Sequence, residues 1–452
     1  MEYSLTLQTI SCQTNQHSVD KVQNHALRFI AGGMKSTPTA VCEVHNNVEP
    51  LRLRREAAVV ETLERYKRQS EGHPNKCILT EARPKQRIKK KSILSVAEEL
   101  KDKYQMPEDR EPIYLFDSNY QYDQDKKHPK IETCLIKDIG KKESNPLDLM
   151  NTALRTIDKF PDDWVHIYTD GSATSGTRNA GYGARVIFPD KTLKDLSGPC
   201  GVYCTNYDAE SIAMEKALLT VSDAFNDFAD KRSNIIIFTD AMSVLQALEN
   251  NTCKDKNINN LSAVIGQVIN THAVEITLQW IPGHVQIPGN ERADALAKQG
   301  AMKTQNVSSA SINTAKQIIK QTKKKIWMNE WTNTDKGRNF YNHMPSPNPN
   351  DNINQIKRNE QVTIFRLRSG HAPLNKHLSR IGAKNNPLCP LCGVHEETVN
   401  HHLFECFALT DLRREYLPEQ PDICNTLYGA PKALKNTHLF HVMANSRRAR
   451  AQ

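Results

Sequence analysis

Four carboxylates in the middle of this 452-residue chain stand where metal chemistry is easily built. Asp170 and Asp240 each follow a strand-like apolar run, Val165 to Thr169 and Ile235 to Thr239, which predicts positions at sheet ends, where α/β active sites form. Glu210 follows Thr205-Asn206-Tyr207-Asp208, and Asp294 follows Pro288-Gly289-Asn290-Glu291, each in the first turn of a predicted helix. Four carboxylates sharing one site repel, and one or more takes up a proton. A hard divalent cation, Mg²⁺ or Mn²⁺ in octahedral oxygen coordination, reverses that penalty. Two such ions about 4 Å apart can activate a water and stabilise the leaving oxygen of a phosphodiester. Taken singly, each residue has a plainer reading. Asp170-Gly171-Ser172 is an ordinary turn, Glu210 and Asp294 suit the positive end of a helix dipole, and Asp240 suits an N-cap. The combination is the informative feature.

A second constellation lies near the C-terminus. Cys389, Cys392, His401 and Cys406 have the spacing C-x2-C-x8-H-x4-C, which matches tetrahedral Zn²⁺ ligation by thiolates and one imidazole. His402 is a rival to its neighbour His401, His395 is a weaker one, and Cys424 reads as a buried thiol outside the set. Without a metal, the same residues are reduced cysteines around a helix.

The elements that must position the carboxylates form a block of alternating texture. Strands are predicted at Val165–Thr169, Gly181–Phe188 and Leu193–Ser197, then a helix from Tyr207 to Phe225. Ile235–Phe238 is a short apolar strand buried on both faces, followed by helices from Val244 and Leu261, a strand ending at Trp280 and a last helix from Asn290 to Gln299. That order gives an α/β layer fold. Residues 1–115 read as mostly helical, clearest from Val19 to Ala31, whose apolar face would be Val22, Ala26, Leu27, Phe29 and Ile30, and from Leu51 to Tyr66. The basic run Arg83 to Lys91 is a solvated face, a phosphate contact or a nuclear address. Residues 116–162, rich in Asp, Lys and Asn, read as a linker.

The strings Tyr168-Thr169-Asp170-Gly171-Ser172, Thr205-Asn206 with Ala209-Glu210, Phe238-Thr239-Asp240, and Ile281-Pro282-Gly283-His284 with Pro288-Gly289-Asn290-Glu291-Arg292-Ala293-Asp294 resemble the type 1 ribonuclease H family. The resemblance covers about residues 164–301 within a domain expected at 163–302. It implies a mixed five-stranded sheet with helices on both faces, and metal-dependent cleavage of the RNA strand of an RNA–DNA hybrid, leaving 5′-phosphate and 3′-hydroxyl ends. It makes Asp170, Glu210, Asp240 and Asp294 ligands of two Mg²⁺ (or Mn²⁺) ions. His284 becomes a loop residue aiding proton transfer or product departure, and Ser172, Thr205 and Asn206 become contacts to the hybrid. Two positions depart from the family pattern. Ala241 stands where many members have Ser, and Gln286 where the His284 loop often carries Gly. No basic hybrid-binding protrusion is evident inside the block.

The flanks resemble non-LTR retrotransposon polyproteins of the R1/Jockey type. The likeness rests on Arg366-Leu367-Arg368-Ser369-Gly370-His371, the Cys/His group with Glu397-Thr398, Trp327 and Trp331 after a Lys-rich stretch, and Leu27 to Pro38, which looks like the end of a reverse transcriptase. The expected organisation is a helical remnant at 1–115, the linker, the nuclease block, a basic helical connector at 303–360, a CCHC zinc module at 361–425 and a tail at 426–452. The one Asp-Asp pair, Asp162-Asp163, leads straight into the nuclease block, so polymerase activity is not expected from this chain. Two rival readings are an inactive nucleic-acid-binding remnant and an integrase- or resolvase-type enzyme acting on DNA.

Composition agrees with an intracellular protein of cytoplasm or nucleus. No apolar run reaches the roughly 20 residues of a membrane helix. The first residues are not a secretory signal, and eleven scattered cysteines are not a disulfide scaffold. The net charge of +9 is uneven. Residues 164–301 carry 11 Lys+Arg against 15 Asp+Glu, residues 1–163 carry 27 against 25, and residues 302–452 carry 22 against 11. Basicity therefore sits in the tail, where it would help hold the hybrid and offers a contact to single-stranded or structured RNA. The sequence names no protein partner.

Overall fold

A computed structural model describes residues 4–81, 92–113, 128–136, 145–227, 232–250 and 255–451. The described residues divide into two units, one drawn from spans 63–84 and 105–318, the other from 1–62, 85–104 and 319–452.

The first unit is built on a mixed six-stranded sheet. Its strands are β1 (Lys130–Glu132), β2 (Val165–Thr174), β3 (Arg178–Ile187), β4 (Leu193–Gly201), β5 (Ile235–Thr239) and β6 (Ile276–Trp280), in the order β1-β6-β5-β2-β3-β4. The hairpins β2/β3 and β3/β4 are antiparallel, whereas β5, β6 and β1 add in parallel. Alternation sends the side chains of β5 to opposite faces. Ile235 and Ile237 join Val165, Ile167 and Leu278 against the helices Asn206–Asp227, Met242–Glu249 and Lys256–His272. Ile236 and Phe238 pack on the other face with Tyr168, Ala293 and the helix Pro146–Ile157. Helices on both faces explain why β5 is apolar throughout.

Six strands replace the expected five, and the span expected to be a linker supplies the extra one. Ile131 pairs in register with Leu278 at the sheet edge and packs on the core. A strand of three residues leaves no periodicity to read. The same span carries the Pro146–Ile157 helix. Asn145 accepts from the Leu147 N–H at 3.3 Å, Pro146 opens the first turn, and Leu149, Ala153 and Ile157 are buried four residues apart.

The second unit has one core that joins both ends of the chain. Leu27, Ala31 and Val41 pack with Trp327, Trp331, Phe340, Phe365, Leu403 and Phe440. Residues expected to fall in a separate remnant, connector, module and tail thus share one interior, because side chains distant in sequence supply each other's apolar cover. The helix Gln13–Ala31 buries Gln23, Leu27 and Ala31. The face predicted for it is a miss: Val22, Phe29 and Ile30 are 58%, 84% and 54% exposed. Gln23 occupies the buried stripe instead, its Nε2 donating to the Glu49 carbonyl at 3.3 Å. Trp327 and Trp331 are buried, and Trp331 Nε1 donates to the Met344 carbonyl at 3.1 Å, while Lys316, Lys320, Lys324 and Lys325 stay exposed. The Arg83–Lys91 run lies outside the described residues.

Candidate active site

Register brings the first two carboxylates together. The parallel pairing of β2 with β5 ends at Thr169 opposite Thr239, so Asp170 and Asp240 are each the next residue. The two strands then differ. β5 stops, while β2 runs on to Thr174 beside β3, so Asp170 lies within a strand rather than at its end. Glu210 comes from the Asn206–Asp227 helix and sits in its second turn. Gly171 permits that approach, since a Cβ there would collide with the backbone of Ala209 and Glu210. Gly283 does the same at Asp240, where a Cβ would meet the carboxylate itself. The Ile281 N–H bonds to the Thr239 carbonyl at 2.9 Å and so lays the Pro282-Gly283 turn alongside Asp240.

Asp170, Glu210 and Asp240 each present an oxygen within 4.8 Å of the others. Asp170 and Glu210 are both 8% exposed. Burial, reinforced by the charges of Asp240 and Asp294, pushes the Asp170 carboxyl up to about 7, and burial beside Asp170 holds Glu210 well above the usual carboxylate range. Glu210 Oε2 is buried with no hydrogen-bond partner among the described residues. Asp294, in the second turn of the Pro288–Met302 helix, hydrogen-bonds Asp170 but lies outside the three-carboxylate group. Lys298, one turn on, binds its Oδ2 at 2.6 Å. The sequence reading missed Lys298, although its i, i+4 spacing from Asp294 was readable.

Thr205 is a helix cap. Its hydroxyl donates to Asp208 Oδ2 at 2.7 Å and accepts from the Asp208 N–H at 3.1 Å, while its own N–H donates to Asp208 at 3.0 Å. The cap holds the helix that carries Glu210, and Asn206 beside it is exposed. Ser172 is half-buried on the face of β2 that carries Asp170. His284 is exposed, at φ +60°, immediately after Gly283. Gln286 also has positive φ, +64°, which explains why glycine suits that position. Ala241 is the N-cap of Met242–Glu249 and supplies no side-chain bond.

The three carboxylates are close enough to share a cation, and comparison with known proteins decides the family. A family model for RNase H matches residues 162–302. Ribonuclease HI of Rickettsia conorii (strain ATCC VR-613 / Malish 7) is 32% identical over 149 residues, 31% of this chain and 91% of the relative. This chain belongs to the ribonuclease H family. Ribonuclease H of Stutzerimonas stutzeri (strain A1501) is 28% identical over 153 residues, 31% of this chain and 93% of that protein. Among solved structures, the ribonuclease H1 of Halobacterium salinarum NRC-1 aligns over 30% of this chain and 96% of its own, at 23% identity and a TM-score of 0.25. The ribonuclease H block is thus an enzyme domain of known type occupying under a third of the chain.

The Cys/His group forms a separate centre in the second unit. Cys389, Cys392, His401 and Cys406 place one ligand atom each within 4.8 Å of one another. The structure separates the adjacent histidines. His401 Nε2 lies 3.5 Å from Cys392 Sγ, whereas His402 turns away and its Nε2 meets His441 Nδ1 at 3.0 Å. His395 stands beside His401, ring centroids 5.6 Å apart, outside the group. Burial raises the Cys389 thiol, and burial next to Cys389 pushes Cys406 up to about 12. At Cys392 burial acts the same way, but donation by the His395 and Val394 N–H groups prevails and lowers it. Cys424, expected to be buried, is exposed, with Sγ 3.8 Å from His343 Nδ1. It sits on a short helix, Ile423–Leu427, that buries Thr426 and Leu427 instead.

Among the described residues, no helix is long and apolar enough to cross a membrane.

Proposed function

We propose that residues 162–302 hydrolyse the RNA strand of an RNA–DNA hybrid as an endonuclease, leaving 5′-phosphate and 3′-hydroxyl ends. The observation that carries this reading is the convergence of Asp170, Glu210 and Asp240 within 4.8 Å in a chain of the ribonuclease H family. The donor set fits a hard divalent cation: all its atoms are carboxylate oxygens, two of its members are protonated beyond the usual range when no cation neutralises them, and Glu210 Oε2 is buried without a partner. Asp170, Glu210, Asp240 and Asp294 would hold two Mg²⁺ or Mn²⁺ ions. When bound, such ions supply the Lewis acidity that activates a water and stabilises the leaving oxygen.

The chain's own residues supply positioning and proton handling. The β2/β5 register and the close approaches at Gly171 and Gly283 hold the carboxylates where mutual repulsion would separate them. His284, on its left-handed turn, takes and returns a proton near the scissile phosphate, as an imidazole within reach of a reacting group can. Ser172 and Asn206 offer hydrogen bonds to the sugar edge, where the 2′-hydroxyl distinguishes RNA from DNA. Thr205 acts through the cap. Lys298 holds Asp294 until a cation competes for it.

In the second unit, Cys389, Cys392, His401 and Cys406 would hold Zn²⁺. With Zn–S near 2.3 Å and Zn–N near 2.0–2.1 Å, a tetrahedron has S···S edges of about 3.8 Å and S···N edges of about 3.5 Å. The Cys389–Cys406 separation is 3.9 Å and the Cys392–His401 separation 3.5 Å. The flanking motifs support a non-LTR retrotransposon polyprotein as the source of the chain.

The deciding experiment compares cleavage of an RNA–DNA hybrid, single-stranded RNA and duplex DNA by the full chain, with Mg²⁺, with EDTA, and in Asp240→Asn. Hybrid-selective cutting lost in EDTA and in the variant is expected. Equal cutting of all three substrates, or activity that survives EDTA, rejects the proposal, and binding without cutting establishes the inactive-remnant alternative.

A further inference from the structure

The second unit contains a polar cluster that neither centre uses. Ser36, on the turn after the Gln13–Ala31 helix, lies between two imidazoles, with His377 Nε2 at 2.9 Å and His371 Nδ1 at 3.2 Å from its hydroxyl oxygen. The opposite nitrogens of the same rings face one guanidinium. Arg380 Nη2 is 2.9 Å from His377 Nδ1 and 3.4 Å from His371 Nε2. The two rings are 4.7 Å apart.

Donor and acceptor roles follow from the chemistry of the partners. Arginine can only donate, so His377 Nδ1 and His371 Nε2 must accept, and both rings are neutral. Burial and the facing cations agree, for they lower both imidazoles, His371 to about 4. A neutral ring that accepts at one nitrogen carries its proton on the other. His377 Nε2–H and His371 Nδ1–H therefore both donate to Ser36 Oγ and occupy its two lone pairs. The Ser36 O–H is left as a donor with no acceptor inside the cluster.

The charge around this donor is uncompensated. Among the described residues Arg380 makes no ion pair, and Arg28, which bears on His371, donates only to the Thr37 and Asn24 carbonyls and the Thr39 hydroxyl. His377 and Arg380 also line a cavity of about 450 Å³ with Asn339, Asn342, Lys376 and Asn400. Its buried acid, Glu397, is neutralised by Arg448 at 2.6 Å, and Lys376 is paired with exposed Glu396 at 2.5 Å. A hydroxyl fixed as a donor and, across the two imidazoles from it, a guanidinium braced by both rings and lacking a carboxylate are complementary to the anionic oxygens of a phosphodiester backbone.

We propose that Ser36 and Arg380, oriented by His371 and His377, form a phosphate-binding site that grips the backbone of a single-stranded polynucleotide, separate from the carboxylate site that cuts. The neighbouring cavity, walled by asparagine amides, can admit an adjoining nucleotide. The site does not depend on the hydrolytic reading, and its test removes hydrolysis.

The full chain is titrated in EDTA with a labelled single-stranded RNA of about 20 nucleotides, over a range of salt, following anisotropy. Arg380→Ala should weaken binding about tenfold and lower the log–log salt slope by about one, the signature of one lost phosphate contact. Ser36→Ala should weaken binding about threefold with the slope unchanged, because it removes a neutral donor. Arg380→Lys should keep the slope and lose part of the affinity, since an ammonium cannot brace against both rings. Thermal melting of each variant monitors the fold, and a variant that melts like the native chain yet binds with native affinity and slope overturns the proposal. Inorganic phosphate competing as well as the oligonucleotide, phosphate for phosphate, overturns the polynucleotide assignment in favour of a small phosphate ligand.

Discussion

The carboxylate site and the Cys/His centre are both suited to metal ions, yet they are assembled in opposite ways. Asp170, Glu210 and Asp240 come from three elements spread over 71 positions, forced together by strand register and two glycine approaches. Cys389, Cys392, His401 and Cys406 come from one stretch of 18 residues and need little beyond a turn and a helical turn to meet. The first set is a cluster of like charges that the fold must hold against repulsion. The second set holds no carboxylate, and burial raises the Cys389 and Cys406 thiols, so its members meet without that repulsion. Stability and metal binding should therefore oppose each other at the carboxylates and reinforce each other at the cysteines.

The largest expected effect breaks the carboxylate side of this contrast. Asp170→Asn should cut hybrid cleavage by roughly a thousandfold or more, because the proposed mechanism makes Asp170 a ligand of the centre that carries the charge of reaction. It should also raise the melting temperature of the metal-free chain. Asp170 keeps its proton to about pH 7 when folded but releases it near 4 when unfolded, so between those values the folded state binds more protons. Metal-free stability should accordingly fall as pH rises from 4 to 7, and the Asn variant should flatten that slope. Melting curves in EDTA at several pH values give the check. A variant less stable than the native chain would contradict the account of repulsion.

Next in size is the thiolate centre. Cys389→Ser should abolish zinc in metal analysis and lower the melting temperature of the second unit, since ligand binding there contributes directly to folding. Hybrid cleavage should persist. A stability gain on losing the cysteine would erase the contrast between the centres.

A smaller effect sharpens the claim that the acid site is tertiary. Gly283→Ala changes no ligand, but its Cβ would meet the Asp240 carboxylate. Activity should drop about tenfold to a hundredfold, the scale expected for a 1 Å misplacement, with zinc content unchanged. Native activity in this variant would show that the turn can yield.

The smallest effect concerns Lys298. Lys298 is exposed in its pair with half-buried Asp294, so Lys298→Ala should tighten Mn²⁺ binding only a few-fold, near the 0.2–1 kcal/mol typical of surface pairs. Calorimetric titration with Mn²⁺ measures this without reference to turnover. Weaker binding would mean that Lys298 organises Asp294 for the metal rather than competing for it.

Much of the first unit was legible because periodicity and motif act at short range. Strands β2 to β6 and their helices came from alternation, apolar runs and 3.6-residue spacing, Asp170 and Asp240 from their place after strand-like runs, and Glu210 and Asp294 from theirs at the start of predicted helices. β1 is too short to show a pattern, and the Pro146–Ile157 helix lay in a span whose polarity suggested a linker, although Asn145-Pro146 is a cap signal. The exposed face of Gln13–Ala31 was misread because a buried glutamine interrupts the apolar stripe.

By itself, the sequence determined which chemistry was available: four carboxylates in a family order, and a Cys/His spacing that local geometry can close. Only the tertiary structure decided which atoms meet. It set His401 rather than His402 among the cysteines, made Thr205 a cap, paired Lys298 with Asp294, and joined Leu27 to Phe440 in one core. The Ser36–Arg380 cluster spans residues more than three hundred positions apart, and no spacing rule could have proposed it. The physical reason is range. Propensity, capping and ligand spacing act over a few residues, whereas packing and hydrogen-bond roles belong to neighbours that the chain acquires only by folding.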